Sequence, residues 1–99
     1  MKITEKKVRK CLEQVLDPEL NISIVDLGLI YEIKVDNKNN VKLTMTLTTI
    51  GCPLFDTIEE DIRSKLKIIK INKIDIELVF DPPWSVDKMS ERGRAILGI

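Results

Sequence analysis

Two runs of alternating apolar and polar residues, set on either side of a short polar stretch, leave this chain little choice of local structure. Leu29, Tyr31, Ile33 and Val35 alternate with Glu32 and Lys34, while Val41, Leu43, Met45 and Leu47 alternate with Lys42, Thr44, Thr46 and Thr48. A period of two puts the apolar side chains of a strand on one face and the polar ones on the other. Asp36-Asn37-Lys38-Asn39-Asn40 lies between the runs and is rich in residues that tolerate left-handed backbone. The pair therefore reads as an antiparallel hairpin. Ile74, Ile76, Leu78 and Phe80, alternating with Asp75 and Glu77, predict a third strand of the same design.

Helical spacing fills the rest. Val8, Cys11, Leu12, Val15 and Leu16 form one apolar stripe, predicting a helix from Thr4 that stops at Asp17-Pro18, where the proline pushes its predecessor out of helical backbone. Residues 17–28 are too apolar for a free linker and are expected to pack on the domain. Pro53 suits a first helical turn, and Leu54, Ile58, Ile62 and Leu66 recur every four residues after it. A last helix is expected from roughly Asp87 to Leu97, carrying Met89, Ile96 and Leu97 inward and stopping at Gly98. The order is α-β-β-α-β-α. This is an α/β chain of the two-layer α+β kind, an open three-stranded mixed sheet with helices on one face. The first two strands are expected to pair antiparallel, and the third, after a right-handed helical crossover, to run parallel to the second if the two are adjacent. The 99 residues make one domain, 1–99.

Composition narrows the function. Sixteen basic and sixteen acidic residues cancel, whereas nucleic-acid binders concentrate positive charge to displace counterions. The polar sheet face, Thr46 included, reads most simply as a solvated surface. No run approaches the roughly 20 apolar residues that span a bilayer, and Met1-Lys2-Ile3-Thr4-Glu5 is no apolar leader. With two cysteines, too few for a disulfide scaffold, a cytoplasmic or organelle-matrix setting with reduced thiols is expected. No nucleic acid and no membrane partner is expected. Histidine is missing altogether, which removes the commonest general base near neutral pH and, within this chain, excludes Cys–His and Ser–His catalysis.

The segment with chemical promise is Thr48-Thr49-Ile50-Gly51-Cys52-Pro53, between the second strand and the second helix. Gly51 permits a tight turn or a close backbone approach. Cys52 falls at the helix N-terminus, where unpaired N–H groups and the positive dipole end favour a thiolate. Asp56 and Glu59 oppose that effect, and a small buried cysteine is the competing reading. Cys11, on an apolar stripe, reads as core. Thr48 and Thr49 either orient a ligand or finish a threonine-rich strand. Asp17, Glu19 and Asp26 stand at turn positions where carboxylates usually bond local backbone. Asp81-Pro82-Pro83-Trp84 is a stiff turn, with Trp84 capping the core or walling the cysteine.

Four pieces then occur in order: Asp17-Pro18-Glu19, Asp26-Leu27-Gly28-Leu29-Ile30-Tyr31, Met45 to Leu54 with its Gly51-Cys52-Pro53, and Asp81-Pro82-Pro83-Trp84 followed by Asp87-Lys88-Met89-Ser90. Together, from about Val8 to Leu97, they resemble the SufT/PaaD-like Fe–S assembly domain family, whose relatives include the cytosolic Fe–S targeting-complex proteins of eukaryotes. Ile50 departs from the pattern, since many members carry proline there. The resemblance implies an accessory factor in iron–sulfur cluster assembly or delivery to clients rather than an enzyme, with Cys52 as its functional thiol and metal ligand. It also implies a pocket lined by Asp17, Glu19, Asp26, Thr48, Thr49 and Gly51. The implied partners are Fe–S assembly factors and apo-client proteins. Since clusters usually take four ligands, a lone thiol suits a transient Fe–S cluster. A stable one would need a homodimer or a client's cysteines. A metal-free adaptor is the alternative, and a thiol-dependent redox enzyme a more distant one.

Overall fold

The structure, a computed structural model, describes residues 3–18, 20–47 and 55–98. Its elements run α1 (Glu5–Leu12), β1 (Ile30–Val35), β2 (Asn40–Met45), α2 (Phe55–Ile68), β3 (Lys73–Leu78), a short 3-10 turn (Val86–Lys88) and α3 (Glu91–Leu97). The sheet order is β1-β2-β3, with β1 and β2 antiparallel and β2 and β3 parallel. The hairpin turn is held by Asp36, whose Oδ1 accepts the backbone N–H groups of Lys38 and Asn40. Asn39 takes the left-handed conformation, φ 62°, that closes it.

One apolar cluster joins the layers. Ile33, Val41, Leu43 and Met45 of the sheet bury with Val8 and Leu12 of α1 and Ile58, Ile62 and Leu66 of α2. Ile22, Ile24, Leu27 and Leu29 of the long loop are 1% exposed or less, so this loop is part of the core, as its composition predicts. On the opposite face of the sheet Lys42 meets Glu77 at 3.6 Å and Lys34 meets Glu32 at 3.1 Å. Both pairs are solvated and contribute little to stability.

Four local expectations need correction. Helix α1 ends at Leu12, one turn earlier than the apolar stripe suggests. Val15 is instead drawn into the loop, accepting a bond from Ile24 N, while Leu16 bridges Ser23 and is exposed. Strand β1 does not alternate cleanly. Ile30 pairs with Met45 but Glu32 pairs with Thr44, so the strand bulges at Tyr31. An extra residue in a bulge swaps the faces beyond it; Ile30 therefore enters the core and Tyr31 turns aside. Thr46, expected on a solvated face, is fully buried. The last helix starts only at Glu91, capped by Ser90, and its Ile96 and Leu97 stay exposed while Met89 before it is buried. A helix of two turns lodged on a loop has only one side to hide.

Candidate functional site

The hydrogen bonds that close the sheet converge where β2 ends. Thr46 N donates to Leu29 O and Val79 N donates to Met45 O, each at 2.8 Å. The chain that leaves β3 then crosses toward β1. Tyr31 Oη donates to Pro82 O at 2.8 Å, and Trp84 Nε1 donates to Leu27 O at 2.6 Å. Residues 79–90 thus form a strap over the carboxyl end of β2. In open sheets with parallel strands, the crevice beyond the carboxyl ends is where ligands usually bind. Here that end leads through Leu47, buried, into residue 48.

Close backbone contact fixes the strap to the loop. Gly28 has φ 77°, and a Cβ there would sit 2.1 Å from Lys88 O. A Cβ on Gly93 would lie 2.8 Å from Asp26 O. No side chain fits either place without moving backbone. Lys88 also lies over the Tyr31 ring, its Nζ 5.1 Å from the centroid, a cation–π contact.

Asp26 is the polar centre of this junction. Its Oδ1 accepts from Ser90 Oγ at 2.9 Å, and its Oδ2 accepts from Arg92 Nε at 3.1 Å and Nη2 at 2.7 Å. Ser90 N donates to Asp26 O, and Ser90 Oγ accepts from Gly93 N. One serine therefore caps α3 and ties it to the loop. The hydrogen bonds to Asp26 and its negative charge raise the Arg92 pKa. Asp17, also buried, holds a tight turn: its Oδ1 accepts from Leu20 N, and its backbone bonds Ile22 O and Asn21 N.

Of the residues expected to form the site, Asp17 and Asp26 are described, both in the loop before β1. Glu19, Thr48, Thr49, Gly51 and Cys52 lie outside the described residues. The fold adds neighbours that sequence reasoning missed. Ser90 and Arg92 on Asp26 are 64 and 66 residues away in the chain. A serine three residues before a glycine hints at a cap, but nothing local predicts Arg92. Thr46 is the other: its Oγ1 is buried with no hydrogen-bond partner among the described residues. The remaining cysteine, Cys11, is half-buried between α1 and α2, where Sγ donates to Lys65 O at 3.1 Å. Burial raises its pKa, with the Lys65 charge opposing more weakly.

The family described as iron-sulfur cluster assembly protein matches residues 5–77. The Fe-S protein maturation auxiliary factor YitW of Bacillus subtilis is 38% identical over 96 residues, covering 96% of this chain and 94% of that one. The auxiliary factor SufT of Staphylococcus aureus is 40% identical over 86 residues, 86% of this chain and 98% of its own. Among solved structures, a domain of unknown function from Bacillus anthracis superposes with a TM-score of 0.91 at 42% identity, over 96% of this chain and 92% of that one.

Proposed function

Because the chain belongs to the iron–sulfur cluster assembly protein family, we propose that it is an accessory factor that receives an Fe–S cluster, or iron bound for one, through the Cys52 thiolate and passes it to client proteins in a reducing cytoplasm. The observation that carries this reading is the 38% identity, over nearly the whole of both chains, with a protein named as an Fe-S protein maturation auxiliary factor. The two cysteines also divide the labour. Burial raises the Cys11 pKa, and its Sγ donates to Lys65 O. That leaves Cys52, three positions before the first described residue of α2 in the sequence, as the proposed source of thiolate.

The cluster is cargo. One thiolate and no histidine per chain leave most of the usual four iron ligands to come from elsewhere, from a second copy or from the client. Delivery is then a ligand exchange. A client thiolate bonds iron as the Cys52–iron bond breaks, the client thiol gives up a proton, Cys52 takes one up, and no electron moves. Asp17, Glu19, Asp26, Thr48, Thr49 and Gly51 are proposed to shape the surroundings of that sulfur. Asp26 does so through the strap it anchors.

Cys52→Ala tests the reading. The variant should keep the wild-type far-ultraviolet circular dichroism and melting temperature, yet fail to restore the activity of an Fe–S client enzyme in cells lacking the protein. Full restoration by the variant would defeat the proposal. Anaerobic reconstitution separates the carrier from a metal-free adaptor: a carrier gains sulfur-to-iron charge-transfer absorption that disappears with Cys52.

A further inference from the structure

The chain has no net charge, yet its charges are unevenly placed. On α1, Lys6, Lys7, Arg9 and Lys10 stand against Glu5 alone. From Arg63 to Lys73 there are five basic residues and no acidic one. The fold brings these stretches together. Between α1 and the second half of α2 runs a groove of about 260 Å³, lined by Lys7, Lys10 and Lys65 together with Cys11, Ile68 and Ile69. Ile68, the last residue of α2, is 75% exposed.

Complementing the helix dipoles accounts for cations in a last turn. It does not account for a bare isoleucine among them, beside a concavity with a half-buried isoleucine and cysteine in its wall. A nucleic-acid backbone would use the lysines and leave the apolar groove empty. A lipid surface would press on a convex apolar stripe, not a hollow. A concave apolar wall rimmed by three ammonium groups fits a chain that alternates carboxylates with an apolar side chain.

We propose that the α1–α2 groove docks an acidic segment of a partner protein. One apolar side chain of that segment packs against Ile68 and Ile69, and its carboxylates meet Lys10, Lys7 and Lys65. The groove's lining includes none of the residues proposed to surround the Cys52 sulfur, and the proposal does not depend on the thiol's role. Lys65 already pairs with Asp61 at 3.3 Å and Lys7 is engaged as well, so the incoming carboxylates share both. The strength of the complex should fall with salt, because the pairs are solvent-screened.

The test titrates isotope-labelled protein with a short synthetic glutamate–leucine peptide and follows amide shifts by nuclear magnetic resonance. Comparators are a lysine–leucine peptide of the same spacing, oligouridine, and vesicles of phosphatidylcholine with phosphatidylglycerol. Shifts should map to α1 and the second half of α2, and only the acidic peptide should bind there. Ile68→Glu and Lys10→Glu, both at exposed positions, should each weaken binding by about tenfold, near 1.4 kcal/mol, with unchanged spectra elsewhere. In a Cys52→Ser background, alkylation of Cys11 should slow when the peptide is bound. Shifts mapping elsewhere, wild-type affinity in both variants, tighter binding of oligouridine or vesicles, or self-association through this face would each overturn the proposal.

Discussion

The hydroxyl of Thr46 is sealed from solvent at the end of β2 with no partner among the described residues. A buried polar group left unpaired forfeits its hydration without recovering a bond. Valine has nearly the same shape and no such group to satisfy. Thr46→Val should therefore raise the unfolding free energy by about 1 kcal/mol, measured by urea denaturation; a clear loss would mean that the hydroxyl is bonded. Cys11 gives a second prediction at this scale. Its thiol is raised above the ordinary value near 9, chiefly by burial. A folded-state pKa above the unfolded one means that the native chain holds the proton longer. The contribution is therefore complete below the unfolded value and lost as pH rises through the folded one. Wild type should lose stability relative to Cys11→Ser above about pH 9, and parallel pH profiles for the two would contradict this. The place of Cys11 on the apolar stripe of α1 pointed to a packed side chain. That Thr46 would be buried was hidden, because alternation assigns a face but not what later covers it.

At the scale of elements, the strap is held to the loop and to β1 by few but close contacts. Trp84 donates to Leu27 O, Tyr31 donates to Pro82 O, and Asp26 gathers Ser90 and Arg92. Trp84→Phe keeps the ring and removes the N–H, leaving the Leu27 carbonyl without that donor. The expected cost is about 1 kcal/mol, with faster hydrogen exchange at Met89, Ser90 and neighbouring amides. An exchange rate unchanged across the strap would show that packing alone holds it. The helices and strands themselves were largely legible, since apolar spacing and the Asp36–Asn40 turn are local signals. The end of α1 and the bulge at Tyr31 were not. Both are settled by competition between a local pattern and a distant partner, Ile24 for Val15 and Met45 for Ile30.

For the whole molecule, stability rests on one cluster shared by α1, α2, the sheet and the 22–29 loop. Ile62, fully buried at its centre-facing position on α2, should cost about 2–5 kcal/mol when cut to alanine, a large part of the 5–15 kcal/mol typical of a domain. Thermal melting should move to lower temperature as one transition; separate transitions would mean that the layers fold apart. The order of elements and the antiparallel hairpin were readable along the chain, because both follow from the period of apolar residues. Cys52 became the thiol to test only through the family resemblance, and the adjacency of β2 and β3 came from the fold. Tertiary structure alone decided the bond of Asp26 to Arg92, the strap over β2, the burial of Thr46 and the basic groove between helices. Those arise when residues tens of positions apart meet, and a chain read one residue at a time carries no record of such distances.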